Sequence, residues 1–554
     1  MSIDQSIDRS ECGQLTSQLT DDVSMQVNKS EKTNNNNSST LIEKELYEEH
    51  KLNKMKQSSV STYIDRMNQN EQTNLTYLFA KAVYASNIPF QIVDSPYLKS
   101  FFDALRPTFK LPSRKQLAGK LLDNACTETS NHISSCIKNA KCIAIVSDGW
   151  SNQRNEGIIN YMLTTPQPLF YKFVACEENR HTSDYIAIEF CTVIEEIGPE
   201  KVYGITTDNA ANMRAAWTIV KEKYPHIQTY SCASHSMQLF AMDVEKQKKY
   251  ATHLIQVKKI VQFFKNRHVA AHIFSKYREQ YGITSTLSTS VATRWASSIK
   301  SIQQLQINKK ALKSSVVDEE IASSIPSNQQ NLFKQIVKWV LDEEVFWLKN
   351  QHFINLFSPV SNSITKMESD SCELSEVYNE FMKVKKHVEE NNSSSLSLSQ
   401  NEKSIVELIE HRINKVITPT HHACYLLDPR HQGENLKSEE EDNAIDLIKL
   451  IWKHLNNVDM ELNSEQETDV AEVLLTLPSS TACAERNWSV WGNIHSKNRN
   501  KLKTSTTGKL ASVYHNLRLL KNMEIDTEDP VFISNEIEDN VSENIEIDVQ
   551  IDST

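Results

Sequence analysis

The spacing of apolar positions divides the chain into stretches of different texture. Residues 1–60 show no sustained period. Their centre, Thr33-Asn34-Asn35-Asn36-Asn37-Ser38-Ser39-Thr40, is wholly polar, so they read as a disordered leader. From about 70 to 140 the pattern is helical and interrupted by Pro89, Pro96, Pro107 and Pro112, which predicts a small helical subdomain. Residues 141–245 change character. Runs rich in Ile, Val, Tyr and Phe at 142–147, 157–164, 169–175 and 202–207 predict strands. Ile186, Phe190, Val193, Ile194 and Ile197 share one face of a helix near 183–197, and a second helix follows Asp208 through Met213, Trp217 and Val220.

Three consecutive strands, then a helix, a strand and a helix, predict a mixed sheet covered by helices. That order matches a ribonuclease-H-like core. Residues 246–470 read as helix nearly throughout, with a serine-rich linker from Asn391 to Gln400. No fixed repeat is present, which argues against a solenoid. Residues 471–520 return to the core as helices, the last with Leu510, Val513, Leu517 and Leu520 on one face. The predicted fold class is therefore α/β plus α: a ribonuclease-H-like sheet interrupted by a large all-helical insertion.

Charge changes this picture at one end. The chain of 554 residues has a formal net charge of −11, which argues against a nucleic-acid partner until its location is considered. Residues 521–554 alone hold eleven Asp and Glu against a single Lys, so the rest is nearly neutral. They read as an acidic, disordered tail. From Arg486 to Met523 there are eight Lys and Arg and no acid. Only 10 glycines occur, and neither a G-x-G-x-x-G nor a P-loop pattern is present, so dinucleotide and P-loop chemistry fall away. Ten cysteines without a C-x-x-C pair fit free thiols in a reducing compartment. No apolar run is long enough for a transmembrane helix, and the acidic N-terminus resembles neither a signal nor a transit peptide.

Three acids carry the candidate chemistry. Asp148 ends Ile143-Ala144-Ile145-Val146-Ser147, Asp208 ends Tyr203-Gly204-Ile205-Thr206-Thr207, and Glu485 lies far downstream in Thr481-Ala482-Cys483-Ala484-Glu485-Arg486-Asn487-Trp488. Short carboxylates on stiff strands suit Mg²⁺ or Mn²⁺, and two such ions about 3.5–4 Å apart can activate an attacking hydroxyl and stabilise a leaving oxygen. An aspartate after a strand is also a common helix cap or turn former, so both readings stand. Cys232 and His235 form a C-x-x-H. It lacks two further ligands at paired spacing, so structural zinc is not expected, and a packing pair or support near the acids is preferred. Arg294 beside Trp295 suits phosphate pairing and base stacking, or else ordinary packing. Arg486 and the run Lys497, Arg499, Lys501 and Lys503 suit backbone phosphates, or else a solvated surface.

In their order these pieces resemble the hAT superfamily of DNA transposases over about residues 75–520. The carriers are Ile88-Pro89-Phe90 with Pro112-Ser113-Arg114, Ser147-Asp148-Gly149-Trp150-Ser151, Thr207-Asp208-Asn209-Ala210-Ala211-Asn212 and Cys232-Ala233-Ser234-His235. Thr293-Arg294-Trp295, Leu426-Leu427-Asp428-Pro429-Arg430 and Ala484-Glu485-Arg486-Asn487-Trp488-Ser489 follow, then Asn498-Arg499-Asn500-Lys501-Leu502 and Tyr514-His515-Asn516-Leu517-Arg518. The resemblance implies a D-D-E site of Asp148, Asp208 and Glu485 holding two Mg²⁺ or Mn²⁺ ions. It implies cleavage and strand transfer of transposon DNA, with Arg294 and Trp295 on distorted transposon ends. It also implies a nuclear location and a homodimer or larger assembly formed through the C-terminal region. Many relatives begin with a BED-type zinc finger. Here the first 120 residues hold one cysteine, Cys12, so no such site is expected. That departure supports an alternative: a domesticated or inactive transposase-derived nuclear protein that binds DNA and dimerises.

Overall fold

The computed structural model describes residues 65–151, 156–165, 167–175, 182–289, 296–391, 404–456, 464–494 and 502–527. The leader at 1–60, the serine-rich stretch after Asn391, and Arg294, Trp295, Lys497, Arg499 and Lys501 lie outside the described residues, as does the tail beyond 527. No described helix is long and apolar enough to cross a membrane.

The described residues divide into two compact units. In the smaller, residues 65–76 and 95–111, the helix Pro96–Leu105 is followed by Arg106, which ion-pairs with Asp65 at 3.2 Å and Glu71 at 2.6 Å. The larger comprises residues 77–94 and 112–527. The stretch read as one subdomain over 70–140 is therefore divided. The helix Lys120–Asn139 belongs to the larger unit because its apolar face, with Leu122 and Ala125, is buried with Ile158, Trp491 and Val513.

The larger unit is built on a five-stranded mixed sheet: β1 Ile143–Ser151, β2 Gly157–Thr164, β3 Pro168–Ala175, β4 Val202–Thr207 and β5 Gln228–Ser231. Their order is β3-β2-β1-β4-β5. The pairs β1/β2 and β2/β3 are antiparallel, and β1/β4 and β4/β5 are parallel. Hairpin-length connections permit the antiparallel half, and the parallel half needs the helices Ser183–Ile197 and Ala211–Lys223 as crossovers. Thr182 caps the first of these by accepting the Tyr185 N–H. Both cover one sheet face, where Ile143, Ile145, Tyr161 and Ile205 pack against Ile186, Phe190, Met213 and Val220. Because successive side chains point to opposite faces, the alternate residues Val146 and Met162 meet the helix Ala482–Ile494 through Cys483 and Ala484.

The helical segment shares its core with the sheet. One buried cluster joins Ala144, Tyr203 and Tyr230 to Phe240, Phe353, Phe381 and Leu477. The run from Leu332 to Phe357 is two helices, Gln330–Leu341 and Leu348–Met367, separated by a π turn at Glu343–Trp347. The last helix, Thr504–Thr527, continues seven residues past the boundary read from charge. Its apolar face is used inside the protomer: Leu510 and Val513 are buried against the helix Lys120–Asn139, and the Asn516 amide pairs with both the N–H and C=O of Phe170 on the edge strand β3.

Candidate active site

Strand register brings the two aspartates level. In the parallel pair β1/β4, Ile145 stands opposite Ile205 and Val146 opposite Thr206. Two residues further on each chain are Asp148 and Asp208. Asp148 is not at a strand end as the apolar run suggests. β1 continues to Ser151 because its pairing with β2 continues, with Asp148 opposite Asn160. Asp148 thus projects past the end of β4 while remaining held in the β1–β2 ribbon. It shares its sheet face with Val146, the face covered by the helix Ala482–Ile494. Asp208 follows the last residue of β4, and its Oδ1 accepts the Ala210 N–H at 3.3 Å. Asp208 is therefore also the turn former that its position allows.

Glu485 lies in the first turn of the helix Ala482–Ile494, where a carboxylate is favoured by the helix dipole. The Thr481 hydroxyl donates to its Oε1 at 3.3 Å. The segment before this helix is pegged from several sides. Leu374 N–H donates to the Leu477 carbonyl at 3.2 Å, and Ser479 and Ser480 hydroxyls donate to the Met367 carbonyl at 3.2 and 2.7 Å. The Gly204 backbone lets this segment approach β4: a Cβ there would lie 2.7 Å from Leu477 Cδ2.

Cys232 links this segment to Asp208's strand. Its N–H donates to the Thr207 carbonyl at 2.8 Å, and its sulfur accepts the Thr481 N–H at 3.3 Å. The same sulfur caps the helix Ala233–Glu245 by accepting the His235 N–H at 3.5 Å. Burial pushes the Cys232 thiol up, so it acts as a neutral acceptor. The C-x-x-H pattern is thus a helix cap, with His235 contributing its backbone, and its sulfur also holds Thr481, four residues before Glu485 in the sequence.

Asn160 makes a second link that the sequence motifs do not mark. This buried amide accepts the Asp148 N–H and donates to the Ala484 carbonyl, each at 3.1 Å. Its only sequence signal is a polar residue inside the apolar strand Ile158-Ile159-Asn160-Tyr161-Met162-Leu163. Trp488, one turn after Ala484, donates its indole N–H to Asp148 Oδ2 at 2.9 Å and stacks on Trp150 at 5.4 Å between centroids.

The electrostatics follow from this packing. Burial first, then the nearby Glu485 and Asp208 carboxylates, push Asp148 up to about 7 from 3.8, against the lowering effect of the Trp488 and Gly149 N–H donors. A cleft of about 280 Å³ opens beside Asp208, lined in part by Gly149, Trp150, Asn212 and Met213. A larger cavity, about 1120 Å³, lies at the opposite strand ends against Cys142, Tyr203 and His454, away from the acids. Among the described residues, no three of His, Cys, Asp and Glu are gathered closely enough to hold a metal ion. The acids are thus near enough to repel, without closing on one point. Their donor chemistry fits a hard divalent cation.

The predicted DNA contacts fare differently. Arg486 is engaged within the protomer, ion-pairing with Asp370 and donating to the Glu368 carbonyl at 2.8 Å. Lys503 is exposed just before the last helix.

Residues 112–260 match the family described as a domain of unknown function, DUF659, a span that contains all five strands, both aspartates and Cys232. Residues 465–517 match the hAT family C-terminal dimerisation region, which contains Glu485 and most of the last helix. No curated protein matches the chain. With the dimerisation region in place behind the sheet-bearing segment, the two matches together support a relationship to the hAT family of transposases.

Proposed function

We propose that this protein is an hAT-type transposase that cleaves DNA phosphodiesters and transfers strands at a D-D-E site of Asp148, Asp208 and Glu485. The observation that supports it most is the placement of Asp148 level with Asp208 in the strand register and on the sheet face covered by the helix carrying Glu485. The strand order supports a ribonuclease-H-like core. Asp148, Asp208 and Glu485 would hold Mg²⁺ or Mn²⁺, which when bound supplies Lewis-acid stabilisation of the attacking and leaving oxygens. The chain's own part is to hold the carboxylates at strand and helix ends, to orient Asp148 through Trp488, and to keep one acid partly desolvated until a cation relieves it. The substrate is DNA carrying the element's terminal repeats, the site of action the nucleus, and the working form a homodimer or larger assembly.

The test is nicking of a labelled duplex carrying the terminal repeats that flank the gene, with Mn²⁺, by wild type and Asp148→Ala. Cleavage lost in the variant supports the reading; cleavage that persists removes Asp148 from it. One observation favours a second reading. The three acids do not form a metal-holding group as they stand, as expected of a transposase-derived protein that binds DNA and dimerises without cutting. Duplex binding with no Mn²⁺-dependent nicking by the wild type would favour it.

A further inference from the structure

Asn160 belongs to no motif and carries no charge, yet its side chain touches the backbone beside two of the three acids. It is fully buried on β2, directly opposite Asp148. The Ser147 hydroxyl donates to its main-chain carbonyl at 2.9 Å, which fixes its own backbone against β1. A carboxamide offers both acceptor and donor atoms. Asn160 spends one of each: Oδ1 on the Asp148 N–H and Nδ2 on the carbonyl of Ala484, the residue before Glu485. An ionised aspartate or a leucine, close in size, cannot make both bonds.

We propose that Asn160 is a positioning residue that sets the spacing between Asp148 and Glu485 by bracketing β1 to the helix Ala482–Ile494. The inference rests on the acid site proposed above. It goes further, because it assigns the approach of the late glutamate to a particular amide. Packing alone does not define that approach: Val146, Met162 and Phe170 meet Cys483 and Ala484 through apolar contacts, which are non-directional and tolerate sliding. Two hydrogen bonds at 3.1 Å on opposite ends of one short side chain do not.

The test is Mn²⁺ binding to the DNA-free protein by titration calorimetry, with thermal melting measured in parallel without metal. Asn160→Asp keeps the acceptor for Asp148 and sets an oxygen against the Ala484 carbonyl; Asn160→Ala removes both bonds. Thr164→Val is the control, since it removes a buried hydroxyl bonded to the Ala144 carbonyl at the far end of the same strand pair. The expected result is Mn²⁺ binding about 10- to 100-fold weaker in both Asn160 variants, the range for residues that orient metal ligands, and unchanged in Thr164→Val even where melting falls as far. Unchanged Mn²⁺ binding with lowered melting in the Asn160 variants assigns Asn160 to the fold alone and overturns the proposal. If Asn160→Ala does not fold, Asn160→Asp decides. Asp148→Ala separates the two levels. Loss of Mn²⁺ binding there, with wild-type binding in the Asn160 variants, sinks only the bracket; wild-type binding in Asp148→Ala sinks the acid site and the bracket with it.

Discussion

Asp148 and Asp428 are both largely withdrawn from water, and the chain treats them in opposite ways. Asp428, in the Leu427-Asp428-Pro429-Arg430 turn, is 1% exposed. It accepts from the Ser375 hydroxyl at 2.7 Å, the Arg430 N–H at 2.9 Å and the Arg430 guanidinium at 2.6 Å. Burial alone would raise its carboxyl, but the Arg430 and Ser375 bonds hold it well below the usual carboxylate range. Asp148 has indole and backbone donors but faces two further carboxylates, and it is pushed up. A buried charge persists when paired and is costly when not. Asp428 is thus complete within the protomer. It also serves the same loop as the acid site, because Arg430 pairs with Glu373, and Glu373 bridges to Pro478 on the approach to Glu485. Asp148 is left short of positive charge.

The largest expected effect breaks the comparison at function. Asp148→Ala should lower Mn²⁺-dependent nicking of the terminal-repeat duplex by at least about 10³-fold, the loss of several kcal/mol of transition-state stabilisation, with melting unimpaired. Asp428→Asn should retain nicking in proportion to the fraction folded. Equal losses in the two variants, once corrected for folding, would erase the distinction drawn between them.

Next comes pH, where the signs are opposite. Well below its ordinary value of 3.8, Asp148 holds its proton in both folded and unfolded chains, and no penalty arises. As pH rises from about 4 to about 7 the unfolded chain is ionised while the folded chain keeps the proton, so stability falls across that window and levels off above it. Asp148→Asn removes this titration. The variant should match wild type near pH 3 and exceed it near pH 8 by up to about 4 kcal/mol, measured by urea unfolding without divalent metal. Parallel pH profiles would mean that the carboxylate is not repelled. Asp428 behaves conversely: its contribution is present above its ordinary value of 3.8 and is lost as pH falls toward its depressed folded value.

A third measurement isolates that contribution. Asp428→Ala leaves the buried Ser375 hydroxyl and one side of Arg430 without an acceptor, at a cost of about 2–3 kcal/mol near pH 7. Chemical denaturation should show it, and Mn²⁺ binding should stay as in wild type. A variant as stable as wild type would make the turn decorative.

Local pattern explains which parts were legible in the sequence. β2, β3, β4 and the helix Ser183–Ile197 lie where apolar runs and helical spacing put them, because β2 and β4 are buried on both faces and read as nearly continuous apolar runs, while the helix buries one face against the sheet. β1 was read too short: Asp148, Gly149 and Trp150 break the apolar run, while the β2 pairing that keeps them in the strand is non-local. The split of 70–140 was hidden for a similar reason. The helix Lys120–Asn139 is amphipathic on its own, and only the distant Trp491 and Val513 reveal where its face goes. At the site, the acids were visible as charges among apolar residues. Asn160 was not, because a neutral side chain declares its role only through the two backbones it reaches. The C-terminal apolar face was legible as a face, but not its partner: Leu510 and Val513 are buried within the chain against the helix Lys120–Asn139.

The smallest effect separates two cations that sequence alone groups together as phosphate contacts. Arg486 follows Glu485 directly, but its guanidinium is taken by Asp370 and the Glu368 carbonyl. That pair is about half exposed on both sides, so Arg486→Ala should cost less than about 1 kcal/mol and leave the salt dependence of DNA binding unchanged. Lys503 is exposed in an acid-free stretch. If it meets a backbone phosphate, Lys503→Ala should reduce the slope of log affinity against log salt by about 1. Fluorescence anisotropy with a labelled duplex over a series of salt concentrations reads both slopes. A slope change in Arg486→Ala with none in Lys503→Ala would reverse the assignment. It would mean that DNA draws Arg486 off Asp370, so that the helix carrying Glu485 trades a contact within the protomer for a phosphate as substrate binds.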